Sequence, residues 1–524
     1  MLNGKYEEAA PLLEQAVKTD GENPLLNSQL SEVYLRLGQF DKAISFGEKA
    51  VSLDPKNTDY RATLGGIYTS VKKYPQAKEQ YAKISKLDPN NGKAPLLLGI
   101  LEAESGDPER GAEILGNLVG DNNDNYMALF YRAKIYLEMD KMDKAKADLD
   151  RCLTVKPNFV EAGTALGLLY ERQNETEEAI KTYNRIQGNG AYKKRLAILY
   201  LQKNETGKAL QELIEYEELE KDDYTARVKI GLIYFELKQY DKAKEKFQAI
   251  LKDEPKADNV RFYLGWVYEE LKDWKKAKAE FMKVQSDSNL FKEAMLHVGF
   301  ILKESGKYKE GIDLAKKLVS KNPNVLEFYD MYASFYESSK NYKKAMAIIG
   351  DALKKSPDDE KLLYFQGALY DKLNDRRKGI ESMRKILTLN PNNAHALNFL
   401  GYTFAELGEN LEEAETLVKK ALTLRPNDGF IEDSLGWILF KRGKLDEALE
   451  RLEKAASLQP KEAVIFEHLG DVYASKKETE KATEAYKKAV SFSMKKDKEM
   501  AKKIETKIAA IHDEKRLPAA GDKK

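Results

Sequence analysis

Four histidines, one cysteine and 86 acidic side chains are the residues of this chain with chemistry to offer. A metal site needs His, Cys or carboxylate ligands that converge at fixed spacings. His297, His395, His468 and His512 are scattered, with no Cys or acidic partner at ligand spacing. No glycine-rich loop of the kind that cradles a phosphate is present. The carboxylates alternate with Lys and Arg along helical faces, where they give solubility and i,i+4 pairs. The sequence therefore assigns no catalytic, cofactor-binding or metal residue, and it reads as a non-enzymatic protein. Cys152 stands alone, so no intrachain disulfide can form.

Charge excludes further classes. Lys and Arg number 87 against 86 Asp and Glu, a net charge of +1, which gives no general attraction to nucleic acid or anionic lipid. The Lys-rich MKKDKEMAKK at 494–503 alternates with acids and reads as a solvated face. No apolar run approaches the ~20 residues of a membrane span.

The elements behind these side chains repeat. At 524 residues the chain exceeds one ordinary core, and a charged fraction of 33% with sparse Gly and Pro suits many amphipathic helices. Prolines mark a 34-residue beat: Pro55 and Pro89, then Pro323, Pro357 and Pro391. Gly65, Gly99, Gly167, Gly231, Gly265 and Gly299 hold one register position, Ala43, Ala77, Ala145 and Ala179 another, and Tyr34, Tyr68, Tyr136 and Tyr170 a third. Small residues belong where two helices cross; tyrosines bring apolar area to the joint between neighbouring units; proline ends one helix and opens the next connection. A lone helix pair cannot bury its apolar face, so such units stack. Cys152 takes a packing position otherwise held by Ala and reads as a small buried hydrophobe.

This pattern resembles the tetratricopeptide repeat (TPR): small at eight, aromatic at eleven, Ala at twenty, aromatic or aliphatic at twenty-four, Ala at twenty-seven, Pro at thirty-two. LGWVYEELKDWKKAKAEFMKV at 264–284 departs from it only at Val284, where the second Ala belongs. The resemblance implies an all-α fold, a right-handed α-solenoid of antiparallel helix pairs. About fourteen complete units begin at 24, 58, 92, 126, 160, 190, 224, 258, 292, 326, 360, 394, 429 and 463. Residues 1–23 form a leading half unit whose Ala9, Leu12, Leu13 and Ala16 share one face. Because Met1 falls inside a unit, the chain is expected to be a fragment, a processed product or a misassigned start, with an export signal or lipid anchor possible upstream. Residues 497–516 read as a capping helix with Met500, Ile504, Ile508 and Ile511 on one face, and 517–524 as a disordered tail.

The beat shortens by four residues at Gln187-Gly188-Asn189-Gly190, dividing units 24–189 from units 190–496. Two glycines around an Asn suit a left-handed turn. The shortening is either a functional hinge or a neutral loop deletion. The unit at 394 carries one extra residue in its inner turn, and the unit at 92 is degenerate, with Glu102 and Gly111 in place of the Tyr and Ala.

In this family the first helix of each unit lines the concave side. Carried over position by position, the resemblance assigns a protein-binding groove to Phe235, Glu236, Phe262, Trp266, Glu269, Glu270, Phe300 and Glu304, and further on to Tyr364, Asn398, Tyr402, Trp437 and Phe440. Exposed aromatics there would anchor an extended segment or helix of a partner protein. The Lys and Asn clamp by which some relatives hold a chaperone's terminal carboxylate is missing. The LGYTFAELG and DSLGW blocks near the C-terminus resemble exported bacterial TPR lipoproteins. That implies an adaptor in the periplasm or at the outer membrane, serving an envelope protease, polysaccharide export or outer-membrane assembly. A cytoplasmic adaptor or co-chaperone, or the non-catalytic arm of an enzyme with its catalytic domain upstream, are the alternatives. No nucleic acid partner is expected, and the oligomeric state is open.

Overall fold

The computed structural model describes residues 5–120, 125–186, 190–493 and 498–514. Thirty helices and no strand occur among the described residues. Consecutive helices pair through tight turns, as the periodicity predicts. First helices begin at Pro24, Thr58, Lys93, Tyr126, Val160, Ala191, Tyr224, Asp258, Phe291, Leu326, Glu360, Ala394, Gly429 and Ala463, each within a residue of the expected start.

Local chemistry fixes both ends of a pair. The Asn57 side chain accepts from the backbone N–H groups of Asp59 and Tyr60, capping the Thr58–Ser70 helix. At the inner turn Lys72 adopts φ +59°, and Lys73 N–H donates to Tyr68 O at 2.8 Å. The second helix, Tyr74–Leu87, then runs to Asp88 and Pro89. The extra residue near 408 is absorbed by a second left-handed residue: Gly408 has φ +69° and Asn410 +49°.

Between helices, small residues make notches for large ones. A Cβ at Gly231 would lie 2.4 Å from the Phe247 ring, so only glycine leaves room for that fully buried ring. In the degenerate unit the backbones themselves close up, and a Cβ at Gly111 would stand 2.6 Å from Gly99 O. Glu102, in the tyrosine position there, pairs with Lys78 at 2.5 Å. Elsewhere the tyrosine hydroxyl ties a unit to its predecessor: Tyr473 donates to Glu453 Oε1 at 2.6 Å and Tyr68 to Glu48. A lysine ammonium lies 5.4 Å from the ring centroid at Tyr234, Tyr268, Tyr336 and Tyr473.

The chain divides into two compact units, residues 1–255 and 256–524. The first holds a continuous core from Ala112 to Ile233, including Leu115, Cys152, Tyr183 and Leu213. Cys152 is fully buried, as its Ala position implied. The second holds a core from Leu363 to Ile504, including Phe404, Leu435 and Tyr486. The Lys498–Glu514 helix closes this core with buried Ala501 and Ile504, and Met500, Ile508 and Ile511 pack beside them.

Some expectations change. In the first helix Leu12 is 68% exposed, and the packed face is Tyr6, Ala9, Ala10 and Leu13 against Val33 and Leu37. Leu12 lies on the edge of the stripe, where the next helix does not reach. Gln187, Gly188 and Asn189 lie outside the described residues, as does the tail 517–524. Gly190 is right-handed, φ −67°, ψ −6°, not left-handed. Its smallness serves packing, since a Cβ there would meet Tyr216 at 3.0 Å and Leu219 at 3.1 Å. The unit that best fits the family pattern has the shortest second helix among the described residues, Trp274–Phe281.

Candidate protein-binding face

The groove positions fall on the first helices of the pairs. Phe235 and Glu236 belong to the first compact unit, where Phe235 meets the Tyr240 ring edge-on at 5.5 Å and Glu236 is exposed. The other assigned residues belong to the second.

On the Asp258–Glu270 helix, Phe262 and Trp266 follow one another by one turn. Phe262 is only 6% exposed, edge-on to the Phe281 and His297 rings at 5.5 Å from each, and those two rings stack on one another at 4.8 Å. Trp266 is 37% exposed and lies 6.2 Å from His297. His297 Nδ1 stands 2.9 Å from Glu269 Oε2. On the following first helix Phe300 is 46% exposed, its ring 6.2 Å from Trp274, and Glu304 is exposed. Glu270 is exposed as well. Trp266 and Phe300 therefore occupy the same register position on successive first helices, open to solvent and flanked by carboxylates.

The C-terminal cluster is built differently from the expected wall. Trp437 is buried, not exposed. His468, from the next first helix, stacks on its indole at 4.1 Å, and Phe440 stacks on it at 5.1 Å. The indole N–H donates to Glu406 Oε1 at 2.8 Å. Tyr402 is half-buried, 6.2 Å from His468. Tyr364 is half-buried between His395 and Phe399. One turn before Tyr402, the Asn398 side-chain oxygen is buried and has no hydrogen-bond partner among the described residues. Phe262 and Trp437 are thus packing residues: His468 of the next unit lies over the Trp437 indole, and His297 of the next unit meets Phe262 edge-on.

These imidazoles carry the signal that the scattered histidines hid. His468 is buried, with Nδ1 2.9 Å from Asp433 Oδ1. Burial disfavours its charged form, but Asp433, with Asp471 and Glu467 behind it, outweighs burial and holds the imidazole above its ordinary range. Burial raises the Tyr402 hydroxyl, and Glu406, Asp433 and Asp371 push it further the same way. Both clusters place a tryptophan at one register position and a histidine 31 residues later, Trp266 to His297 and Trp437 to His468. Read in register rather than along the chain, that spacing puts the two rings on adjacent first helices. Each histidine then meets a carboxylate of the preceding unit.

Models described as tetratricopeptide repeat match residues 1–67, 38–101, 132–193, 228–285, 366–429 and 463–493, and one described as TPR repeat matches 436–477. No curated protein matches the chain. Among solved structures the chain is similar to the APC/C hetero-tetramer Cut9–Hcn1, at 16% identity over 91% of this chain and 95% of that one, TM-score 0.39. A tetratricopeptide repeat protein from Parabacteroides merdae aligns at 20% identity over 49% of this chain and 98% of its own, TM-score 0.41. Naa15/Naa10 bound to HypK-THB aligns at 13% identity over 98% and 96%, TM-score 0.35.

Proposed function

The chain belongs to the tetratricopeptide repeat family, and from that premise we propose that it is a non-enzymatic scaffold that holds a segment of a partner protein against its first helices. One observation carries the reading: Trp266 and Phe300 stand solvent-exposed at equivalent positions of neighbouring units, beside Glu270 and Glu304. Large rings held at an open surface are the residues that anchor partner segments. The carboxylates around them favour a segment with Lys or Arg next to its hydrophobic side chains.

We place the scaffold in the bacterial envelope as an adaptor, on the likeness of the LGYTFAELG and DSLGW blocks to exported repeat proteins. A leader sequence upstream of Met1 in the gene, ending in a small residue followed by Cys, supports this placement. A gene that encodes no leader moves the scaffold to the cytoplasm.

The binding face is tested with immobilised peptides in which Leu or Phe alternates with Lys, and with counterparts in which Glu replaces Lys. The Lys peptides should bind, and the Glu peptides should not. Trp266→Ala and Phe300→Ala should each weaken binding at least tenfold, an aromatic anchor contributing ~2 kcal/mol, while helical circular dichroism stays unchanged. Equal binding by parent and both variants would remove this face from consideration.

A further inference from the structure

The truncated second helix leaves a cavity with a composition of its own. Its neighbours in sequence run for fourteen residues, Tyr240–Asp253 and Tyr308–Lys321, whereas Trp274–Phe281 stops at eight. The sequence explains the stop. After Val284 comes Gln285-Ser286-Asp287-Ser288-Asn289, polar side chains that compete with the helix for backbone groups. Asp258 Oδ2 accepts from Gln285 N–H at 3.2 Å and Ser288 Oγ from Leu290 N–H at 3.3 Å, which holds the chain in turns.

Where a fourteen-residue helix would lie, Met282–Ser286 instead form one wall of a cavity of about 630 Å³. Its apolar lining is Phe291, Met295, Leu314 and Leu318, together with Met282, which is 47% exposed. Its charged lining is cationic, Arg261, Lys283, Lys317 and Lys321 with no carboxylate, beside the neutral Gln285, Ser286 and Asn322. Glu280 pairs with Arg261 at 3.3 Å and with Lys283 at 2.7 Å. Lys317 and Lys321 have no ion-pair partner among the described residues. The volume lies in the range of small-ligand sites, ~300–1,000 Å³, well above what one side chain fills.

We propose that this cavity binds an anionic amphiphile, a molecule whose aliphatic body packs on Phe291, Met295, Leu314 and Leu318 and whose carboxylate or phosphate ester meets Lys317 and Lys321. Apolar contact and charge are both needed: the body supplies most of the affinity and the two free ammonium groups select the head. The site is separate from the exposed ring of Trp266, so it stands or falls independently of the peptide-binding face.

Isothermal titration of the full chain with dodecyl phosphate, below its micelle concentration, tests the assignment. One molecule should bind per chain. Dodecyl maltoside, with the same tail and no charge, and inorganic phosphate, with the head and no tail, should each bind at least tenfold more weakly. Lys317→Glu combined with Lys321→Glu should weaken dodecyl phosphate at least tenfold. Leu314→Trp, which fills the cavity without changing charge, should do the same, and Trp266→Ala should leave binding intact. Dodecanoate in parallel distinguishes a carboxylate head from a phosphate ester. Absence of saturable binding, equal binding of the uncharged maltoside, or undiminished binding by both cavity variants would each overturn the proposal. So would an acidic amphipathic peptide that saturates the site when dodecyl phosphate does not.

Discussion

At the scale of single residues, buried polar chemistry decides what can be measured. His468 shares its burial with Asp433, and Asp471 and Glu467 on its own helix reinforce the charged form. Because its imidazole is held above the ordinary value, the contribution to stability is fully present below pH ~6.5 and is lost as pH rises through the raised pKa. Thermal melts from pH 6 to 9 should show the second compact unit losing stability over that window. His468→Gln should flatten that slope and cost ~3 kcal/mol, because it leaves Asp433 buried beside a neutral partner. Cys152 makes the opposite case. Burial pushes its thiol up to about 11, and it donates to Tyr126 O at 3.3 Å. It should resist thiol reagents in the native protein and react only on unfolding, which a time course in denaturant would read directly. Neither partnership was legible from local sequence. Asp433 precedes His468 by 35 residues, and only the register of the repeat brings them together.

At the scale of the element, the turns inside the pairs repeat one conformation with different residues. Gly306 and Gly443 adopt φ +66° and +77°, but Lys238 and Lys340 hold φ +58° where a β-carbon is unfavourable. Lys340→Gly should therefore raise stability by ~1 kcal/mol, measured by urea unfolding, the relief of left-handed strain exceeding the entropy glycine adds to the unfolded chain. Gly231→Ala should act the other way, costing ~1–3 kcal/mol by forcing a methyl into the Phe247 ring. Helix starts and pairing were legible because Pro, Gly, Ala and Tyr recur in register. The early end at Phe281 was not. Its cause lies in five polar residues after Val284, and the family pattern carries no mark at those positions.

At the scale of the whole molecule, a stack of pairs distributes stability through nearest neighbours. Tyr486 fills the notch at Gly470 and donates to Asp471 Oδ1 at 2.6 Å. Tyr486→Ala should speed hydrogen exchange in the Ala463–Ser475 and Lys498–Glu514 helices. Exchange in the helices around Tyr329 and Ile349, in the same compact unit, should stay unchanged. A uniform loss of protection across residues 256–514 would show a single cooperative block instead. The repeat made the all-α fold legible almost residue by residue. The binding face was legible only in part, since register gives a position but not its exposure. Trp266 and Trp437 hold the same position; one is open, and the other lies beneath an imidazole and a phenyl ring.

The stacking of Trp437 on His468 has an optical consequence. An imidazolium in face contact with an excited indole accepts an electron and quenches its emission, and the rings here are 4.1 Å apart and nearly parallel, at 16°. The chain has three tryptophans. Trp437 should be dark where His468 carries its proton and brighten as His468 loses it, while Trp266, tilted by 46° at 6.2 Å from His297, is quenched far less. The intrinsic fluorescence of the unlabelled protein thus separates into a proton-sensitive signal from Trp437 in the C-terminal core and a second signal shared by Trp266 of the binding face and Trp274, whose ring neighbour is Phe300.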